Sequence, residues 1–484
     1  MRIPTLCSAL RLLVFAGLAV ALPAESQVVY DLVIANGRVM DPETGRDEIA
    51  WVGIDGERVM AISTEPLEGR RVIDATDHIV APGFIDILSG IAARRVAHED
   101  KVADGVTTAF GMHGGPLDVA GYVAEQEAIG PAVNFAKTVD HRAVRTAAGA
   151  TDPYAPALPG QIPAMKELAR QAIRAGAVGV GFGLNYAPGT SYEEVYAMFE
   201  VAAEENVPVH LHARYKGNVF PETMSLAVME VIAMAAATGA QAQIAHLISS
   251  TVGSAPLSID LLEGARAHGV DVGFDFHVWT RNQTTLQSAL YDEGWEERFG
   301  GATYSDLYVA RTQERLTRDR FFELRALEEP VQVQTEFIPE EEILLGIRAP
   351  HGIISSDGGG LIDGTGHPRS VGTFARFLGR YVRDQGVLDW MEGLKRITLL
   401  PAQRLERSVP RMARKGRLQV GMDADLTVFD PATVQERATY ADPDRRSTGI
   451  SYVIVNGVVT VDGGEVRSDA AAGQWLRHPG GGVS

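Results

Sequence analysis

Histidine and aspartate recur at the ends of short apolar runs in this chain: His113 in VTTAFGMHGG, His212 in PVHLHARY, His246 in AQIAHL, His277 in VGFDFHVW and Asp357 in HGIISSDGG. Neutral imidazole and carboxylate are good zinc ligands, and a catalytic zinc takes three protein ligands with a fourth position open. His113, His212 and His246 can supply the three. A lone histidine is more simply a hydrogen-bonded core or loop residue. Several at equivalent run ends point instead to a metal-dependent hydrolase. Asp357 has glycines behind it and no evident structural duty, so it is the candidate to take a proton from an attacking water and return it to a leaving amine. His210 and His212 lie two apart on one strand and point the same way. His212, nearer the strand end, is the better ligand, and His210 reads as a buried residue behind it. His277 could contact metal or substrate, or form pocket wall with Phe274, Phe276 and Trp279.

Each run is short, rich in Val, Ile, Ala and Phe, and followed by glycine or polar residues, the texture of a buried parallel strand. Eight candidates occur in order: HIVAPGFIDIL, VTTAFGMH, AVNFAKTVD, AVGVGFGL, PVHLHARY, AQIAHL, VDVGFDFHVW and GIISSD. Helical patterns intervene, clearest in IPAMKELARQAIRAG, SYEEVYAMFEVAAEEN and LSIDLLEGARAHG. This alternation predicts an α/β protein built on a (β/α)8 TIM barrel, with its chemistry at the carboxyl ends of the strands. An open doubly wound sheet would call for a glycine-rich phosphate fingerprint after its first strand, and none is there. Residues 285–350, between the seventh and eighth strands, are long, charged and aromatic. They are expected to form a partly helical lid, with an oligomer contact or disordered insertion as the alternative.

Alternating residues around Asn36-Gly37 and Asp55-Gly56, and again around Asn456-Gly457 and Asp462-Gly463, predict tight hairpins at both ends of the chain. A small β-sandwich domain from residues 27–78 and 412–470 is expected beside a hydrolase barrel spanning 79–411. With 484 residues, 45% hydrophobic and 22% charged, the chain can bury a large core. Its formal net charge of −18 leaves no broad basic surface for nucleic acid. Arg2 and Arg11, the apolar stretch Leu12–Leu22 and small residues up to Ser26 have the form of a secretory signal peptide over residues 1–26, too short to span a membrane. The sole cysteine, Cys7, would leave with it. The expected mature protein is secreted to the periplasm, has no thiol chemistry, and has no membrane partner.

These motifs together resemble the amidohydrolase superfamily, and within it the N-acyl-D-amino acid deacylase (D-aminoacylase) group. The resemblance covers nearly all of the mature chain. It is carried in order by IANGRVMDPETG with APGFID, DGVTT with GMHGG, GVGFGLNYAPGTSYEEV, the His212 and His246 strands, HPRSVGTFARFLGRYV and KGRLQVGMDADLTVFD with VIVNG. Most members follow PGFID with a His-x-His pair. Here Leu88 and Gly90 stand in those places and cannot bind metal, and GVGFGLNY lacks the lysine that some relatives carboxylate. The resemblance therefore implies one zinc per chain, held by His113, His212 and His246, with His113 where D-aminoacylases have cysteine. Histidine there suits an exported protein, because a thiolate is open to oxidation. The GMHG form is more similar to the N-acyl-D-glutamate deacylase-like branch.

By the same resemblance Asp357 is the catalytic aspartate, and Arg369 grips the substrate's α-carboxylate as a bidentate fork. His367 helps shape that loop. Arg214 matches a family arginine that serves either the substrate or a structural ion pair. Ile248 stands where some relatives have a carboxylate-binding lysine. The expected activity is zinc-dependent hydrolysis of small-molecule N-acyl amino acids, foremost of D configuration. A peptidase or cyclic-amide hydrolase on the same frame, and a non-catalytic binding homologue, are the alternatives.

Overall fold

The structure is a computed structural model and describes residues 28–91 and 93–480, together with Met1. The expected leader lies outside the described residues. Among the described residues no helix is long and apolar enough to cross a membrane.

The chain opens on five strands, β1 (Val29–Asp41), β2 (Arg46–Asp55), β3 (Arg58–Ser63), β4 (Glu68–Asp74) and β5 (Ile79–Pro82). Nine short parallel strands follow in two ladders. The first ladder joins β6 (Phe84–Asp86), β7 (Val106–Gly111) and β8 (Asn134–Lys137). The second begins with β9 (Val139–Asp140), β10 (Val180–Gly183), β11 (Val209–His212), β12 (Ala242–Ile244) and β13 (Val272–Phe276). After β13 the strands β14 (Arg281–Thr285), β15 (Leu307–Val309) and β16 (Gln332–Glu336) form a separate antiparallel sheet. The second ladder is then completed by β17 (Gly352–Ile354), and the chain ends with β18 (Leu426–Phe429), β19 (Ile450–Val455), β20 (Val458–Asp462) and β21 (Glu465–Val466).

The two chain ends meet in one nine-stranded sheet, where β5 pairs β1 in parallel and β18 antiparallel. It packs its own apolar cluster around Ile34, Val52, Ile54, Val80, Leu426 and Ile454. One predicted hairpin is corrected. At Asn36-Gly37 the chain does not turn back; β1 runs through with a register shift between Ile34 and Gly37, and Asn36 takes φ 60°. The dipeptide that suits a two-residue turn equally suits a bulge, and the close packing of Val80 against Gly37 leaves room only for glycine there. At Asn456-Gly457 both residues have positive φ, 49° and 81°, and the predicted hairpin between β19 and β20 forms.

HIVAPGFIDIL, expected as a single barrel strand, divides at Gly83 between two sheets: Ile79–Pro82 belongs to the terminal sheet and Phe84–Asp86 to the parallel ladder. AVNFAKTVD supplies both β8 and β9, so the two ladders meet at Thr138. At the opposite limit the loop after β6 touches the loop after β17, through Asp357 N donating to Leu88 O at 2.8 Å and Gly90 N to Gly358 O at 2.8 Å. The predicted helices form as Ile162–Arg174, Tyr192–Glu204 and Ala255–Ala267. Ser191 caps the second with a reciprocal capping box through Glu194.

The insertion differs from its expected form. It begins at Arg281 rather than Thr285, and β14, β16 and β15 make it a small sheet, with helices Trp295–Arg298 and Arg318–Arg325 beside it. Tyr291, Trp295, Phe299 and Phe321 give it a packed aromatic core of its own. The helix Glu340–Arg348 packs against Ala255–Ala267 and β17 and so belongs to the alternating β/α series.

Candidate metal centre and catalytic pocket

Residues at the carboxyl ends of the parallel strands converge. His113 follows β7, His212 ends β11, His246 follows β12 and Asp357 follows β17. His113, His212 and His246 present ligand atoms that all lie within 4.8 Å of one another. His246 Nε2 is 3.0 Å from His212 Nδ1, and His113 Nδ1 is 3.9 Å from Asp357 Oδ1. Ser249 Oγ, 2.9 Å from the His246 carbonyl and 3.1 Å from its Nδ1, fits a ring protonated at Nδ1 with its Nε2 lone pair turned to the cluster.

Loss of surrounding water pushes the His113 imidazole down to about 3, and burial lowers His212 and His246 as well. Three neutral imidazoles are what a divalent cation needs. Burial works to raise the Asp357 carboxyl, but Arg369 foremost, then His246 and His113, hold it well below the usual carboxylate range. It is therefore an anion at neutral pH.

Two residues of the cluster have strained backbones: φ is 35° at His246 and 50° at Asp357. Both are pinned. The His246 N–H donates to Asp275 Oδ1 at 3.1 Å, and the same buried carboxylate accepts from Ser355 Oγ at 2.8 Å, His210 Nε2 at 2.8 Å and Gln243 Nε2 at 3.3 Å. Beside Asp357, Ser356 donates its N–H and hydroxyl to Asp86 at 2.9 and 2.5 Å. Lys101 Nζ donates to Asp86 and Ser356 at 2.9 and 2.8 Å.

A cavity of about 260 Å³ opens on the cluster. Its wall includes His113, His212, His246 and Asp357, with Tyr186, Lys216, His367 and Arg369, and Asn282, Gln283, Thr284, Leu290 and Gln332 from the insertion. Arg369 Nη1 is 2.8 Å from Asp357 Oδ2 and donates to His277 Nε2 at 3.2 Å. His277 thus stands behind Arg369, outside the three-histidine group. His210 is fully buried on Asp275. His367 accepts from Arg369 N at 3.0 Å and contacts Arg281 O at 3.1 Å, which fastens the loop to the insertion. Of the two roles open to Arg214, the geometry favours the ion pair: it does not line this cavity but pairs with Glu230 at 2.8 Å, donates to Thr190 O at 2.9 Å and stacks on Tyr192.

Leu88 is buried, and a Cβ built on Gly90 would lie 2.9 Å from Gly359 Cα. Gly90 lines the cavity without a side chain, and the backbone of the eighth-strand loop crowds the place where one would start. Sequence reasoning missed Asp275, Lys216 and Tyr186. Asp275 carried a signal, an aspartate inside the apolar strand VGFDF. Lys216, in the loop after β11, and Tyr186, in the 3-10 turn Leu184–Tyr186, carried none.

The description "Amidohydrolase family" matches residues 346–461. The chain is 32% identical to N-acyl-D-glutamate deacylase of Alcaligenes xylosoxydans xylosoxydans over 466 residues, covering 88% of this chain and 93% of that one. It is 29% identical to D-aminoacylase of the same organism, covering 88% and 94%. Among solved structures it is similar to N-acyl-D-glutamate deacylase from Bordetella bronchiseptica, complexed with zinc and a phosphonate mimic of the tetrahedral intermediate. That match has TM-score 0.81 and 28% identity, and covers 93% of this chain and 100% of that one. With this likeness extending over both the terminal sheet and the parallel ladders, the chain belongs to the amidohydrolase superfamily, in its N-acyl-D-amino acid deacylase group.

Proposed function

We propose that this protein is a zinc-dependent amidohydrolase that cleaves the amide of N-acyl amino acids, foremost N-acyl-D-amino acids, to a carboxylate and a free amino acid. The observation that carries this reading is the convergence of His113, His212 and His246 within 4.8 Å, beside an anionic Asp357 in a cavity of small-substrate size.

The donor set fits a single divalent cation. His113 Nε2 and His212 Nε2 are buried and without hydrogen-bond partners, and all three rings are neutral. When bound there, zinc supplies Lewis acidity to the acyl oxygen and lowers the pKa of a water. The packing of Gly90 on Gly359 supports one ion rather than two. Asp357 accepts the proton of the attacking water and delivers it to the departing amine nitrogen. Arg369 holds the Asp357 carboxylate from its far side and keeps it ionised until that transfer. The substrate's own carboxylate falls to the cations of the cavity wall, Arg369 and Lys216. The insertion walls one side of the pocket and would keep water from it as a lid.

We read the frame as a (β/α)8 barrel. The two ladders share one chain segment at Thr138 and touch again between the loops after β6 and β17, which supports closure. The terminal sheet would be the partner domain, with β5 (Ile79–Pro82) joined to the expected 27–78 and 412–470. Export rests on the amino-terminal residue pattern alone, and sequencing the amino terminus of periplasmic protein would test cleavage near residue 26.

The decisive experiment combines elemental analysis with a hydrolysis panel of N-acetyl D- and L-amino acids, dipeptides and hydantoins. Zinc near one equivalent and turnover confined to N-acyl amino acids is the expected result. Preference for dipeptides or hydantoins would overturn the substrate, and metal binding without any turnover would overturn the enzyme.

A further inference from the structure

The catalytic cavity continues past its own wall. Gln283, Gln332, Gly359 and Gly360 line it and also line a second chamber of about 570 Å³, more than twice the size of the first at about 260 Å³. The second chamber lies between the insertion and the loop after β17. Val309 and Ala310 come to it from the end of β15, Pro330 and Val331 from the approach to β16, and Ile362 from the loop. Its two charged residues, Arg311 and Asp363, are both exposed. The walls are fastened to each other. Gln334, fully buried, donates through Nε2 to Gln283 Oε1 at 3.2 Å and to Gly366 O at 3.1 Å, and Ala310 N donates to Gln332 O at 2.9 Å.

Hydrolysis of a short acyl group needs none of this apolar lining, because the three histidines and Asp357 all stand in the first cavity. Ile362 is 67% exposed, on a turn closed by reciprocal 2.9 Å hydrogen bonds between Ile362 and Thr365. A large aliphatic side chain held in water at the edge of an apolar chamber is surface that a ligand would cover. On the side of Lys216 and Leu290 the catalytic cavity adjoins a different chamber, whose wall carries Arg214, Arg298, Glu222 and Asp292. The charged chamber and the apolar one share no wall residue. An N-acyl amino acid has two unlike ends to match them. Hydrophobic transfer draws an aliphatic acyl chain to the apolar chamber, and the cost of stripping water from a charge keeps the amino-acid end out of it.

We propose that the chamber between the insertion and the loop after β17 is an acyl-chain subsite, and that the substrates are amino acids N-acylated with a straight aliphatic chain well beyond acetyl. This rests on the N-acyl amino acid reading above and names the acyl class within it. A volume of about 570 Å³ lies inside the range of about 300–1,000 Å³ usual for small-molecule pockets. The insertion then selects the substrate as well as covering it.

The zinc-loaded full chain is assayed on D-alanine carrying acetyl, butanoyl, hexanoyl and octanoyl groups. kcat/KM should rise about 2–4-fold per added methylene once the chain reaches the chamber, the upper figure being the effect of one fully buried CH2. Ala310→Trp fills the chamber and Ile362→Glu puts a charge at its edge, and neither residue lines the catalytic cavity. Each should cut the ratio of octanoyl to acetyl turnover by at least ~10-fold and leave N-acetyl-D-alanine within ~2-fold of the parent. Ile362 is exposed, so Ile362→Glu keeps the test intact if the bulk of Ala310→Trp disturbs the insertion. Calorimetry on the same chains compares octanoate with acetate, the two carboxylate products. Octanoate should bind more tightly and with the more negative heat-capacity change, and Ala310→Trp should remove both differences.

A kcat/KM that stays flat with acyl length, or equal losses on acetyl and octanoyl substrates in both variants, overturns the assignment. So does a length preference that follows the amino-acid side chain instead, seen as a gain for N-acetyl-D-norleucine over N-acetyl-D-alanine that Ala310→Trp abolishes. Binding separates the chamber from the reaction itself. Tighter binding of octanoate that depends on Ala310, without turnover of any substrate, removes the hydrolase reading and leaves the subsite. Turnover of N-acetyl-D-alanine with octanoate bound no better than acetate does the reverse.

Discussion

Asp275→Asn perturbs the group on which both the metal ligands and the fold converge. The native carboxylate accepts four hydrogen bonds while fully buried, from His246 N and Ser355 Oγ on one oxygen and from His210 Nε2 and Gln243 Nε2 on the other. Asparagine keeps the shape but turns one oxygen into a donor, so two of the four partners meet an N–H. His210 has no escape by changing tautomer, since its Nδ1 is buried with no partner. At about 1–3 kcal/mol for each of two orphaned buried partners, the loss should be about 2–6 kcal/mol, large against a typical total of about 5–15. The His246 N–H bond also holds a φ of 35°, whose strain of order 1–3 kcal/mol is released when that bond fails. Zinc affinity should then fall about 10–100-fold, as for other residues that orient a ligand from behind. Urea unfolding of the metal-free chain and competition against a chromophoric chelator measure the two effects separately. A stability loss under ~1 kcal/mol, or zinc affinity within ~2-fold of the parent, would refute the pinning argument.

His113→Ala should lose zinc and turnover together while His113→Cys keeps most of the metal; unchanged zinc content in the alanine variant would remove His113 from the ligand set. Asp357→Asn should bind zinc and substrate yet lower kcat by at least ~10^2, the low end for general acid–base work, and a smaller drop in single-turnover measurements would return the proton transfer to another group. Gly90→His should not create a second metal site, because its Cβ would meet Gly359 Cα at 2.9 Å; overpacking of that kind costs about 1–3 kcal/mol, and two tightly held equivalents of zinc would contradict it. The Lys216 amine has its pKa lowered to about 7, so it is charged below that pH and neutral above it. kcat/KM for N-acyl amino acids should therefore decline through pH 7 relative to their α-amides, and parallel profiles would count against an ammonium anchor.

His113, His212, His246 and Asp357 were legible in the sequence because each follows an apolar run, and strand ends in a parallel α/β frame share one face. The three helices were legible for the same reason, a local period with a local stop signal. Gly90 showed that a first-strand ligand was missing, but only the packing of Gly359 against it showed that no side chain could stand there. Asn36-Gly37 carries a turn signal that a bulge satisfies as well, and the choice was made by Val80, distant in sequence. HIVAPGFIDIL is uniformly apolar, so periodicity could not reveal that its halves serve two sheets. Arg214 stands in the loop after β11 and Arg369 opens the helix Arg369–Arg376, each a single arginine whose partner is not written beside it. Whether such a residue meets substrate or a carboxylate of its own chain depends on Glu230 and Asp357, which only the folded chain brings within 2.8 Å. Lys216 is a further case: its place on the cavity wall beside Phe299 and Phe337 is set by the insertion packing over the strand ends. The type of a residue is written in the chain, whereas its electrostatic surroundings come from separate elements and exist only once those elements pack.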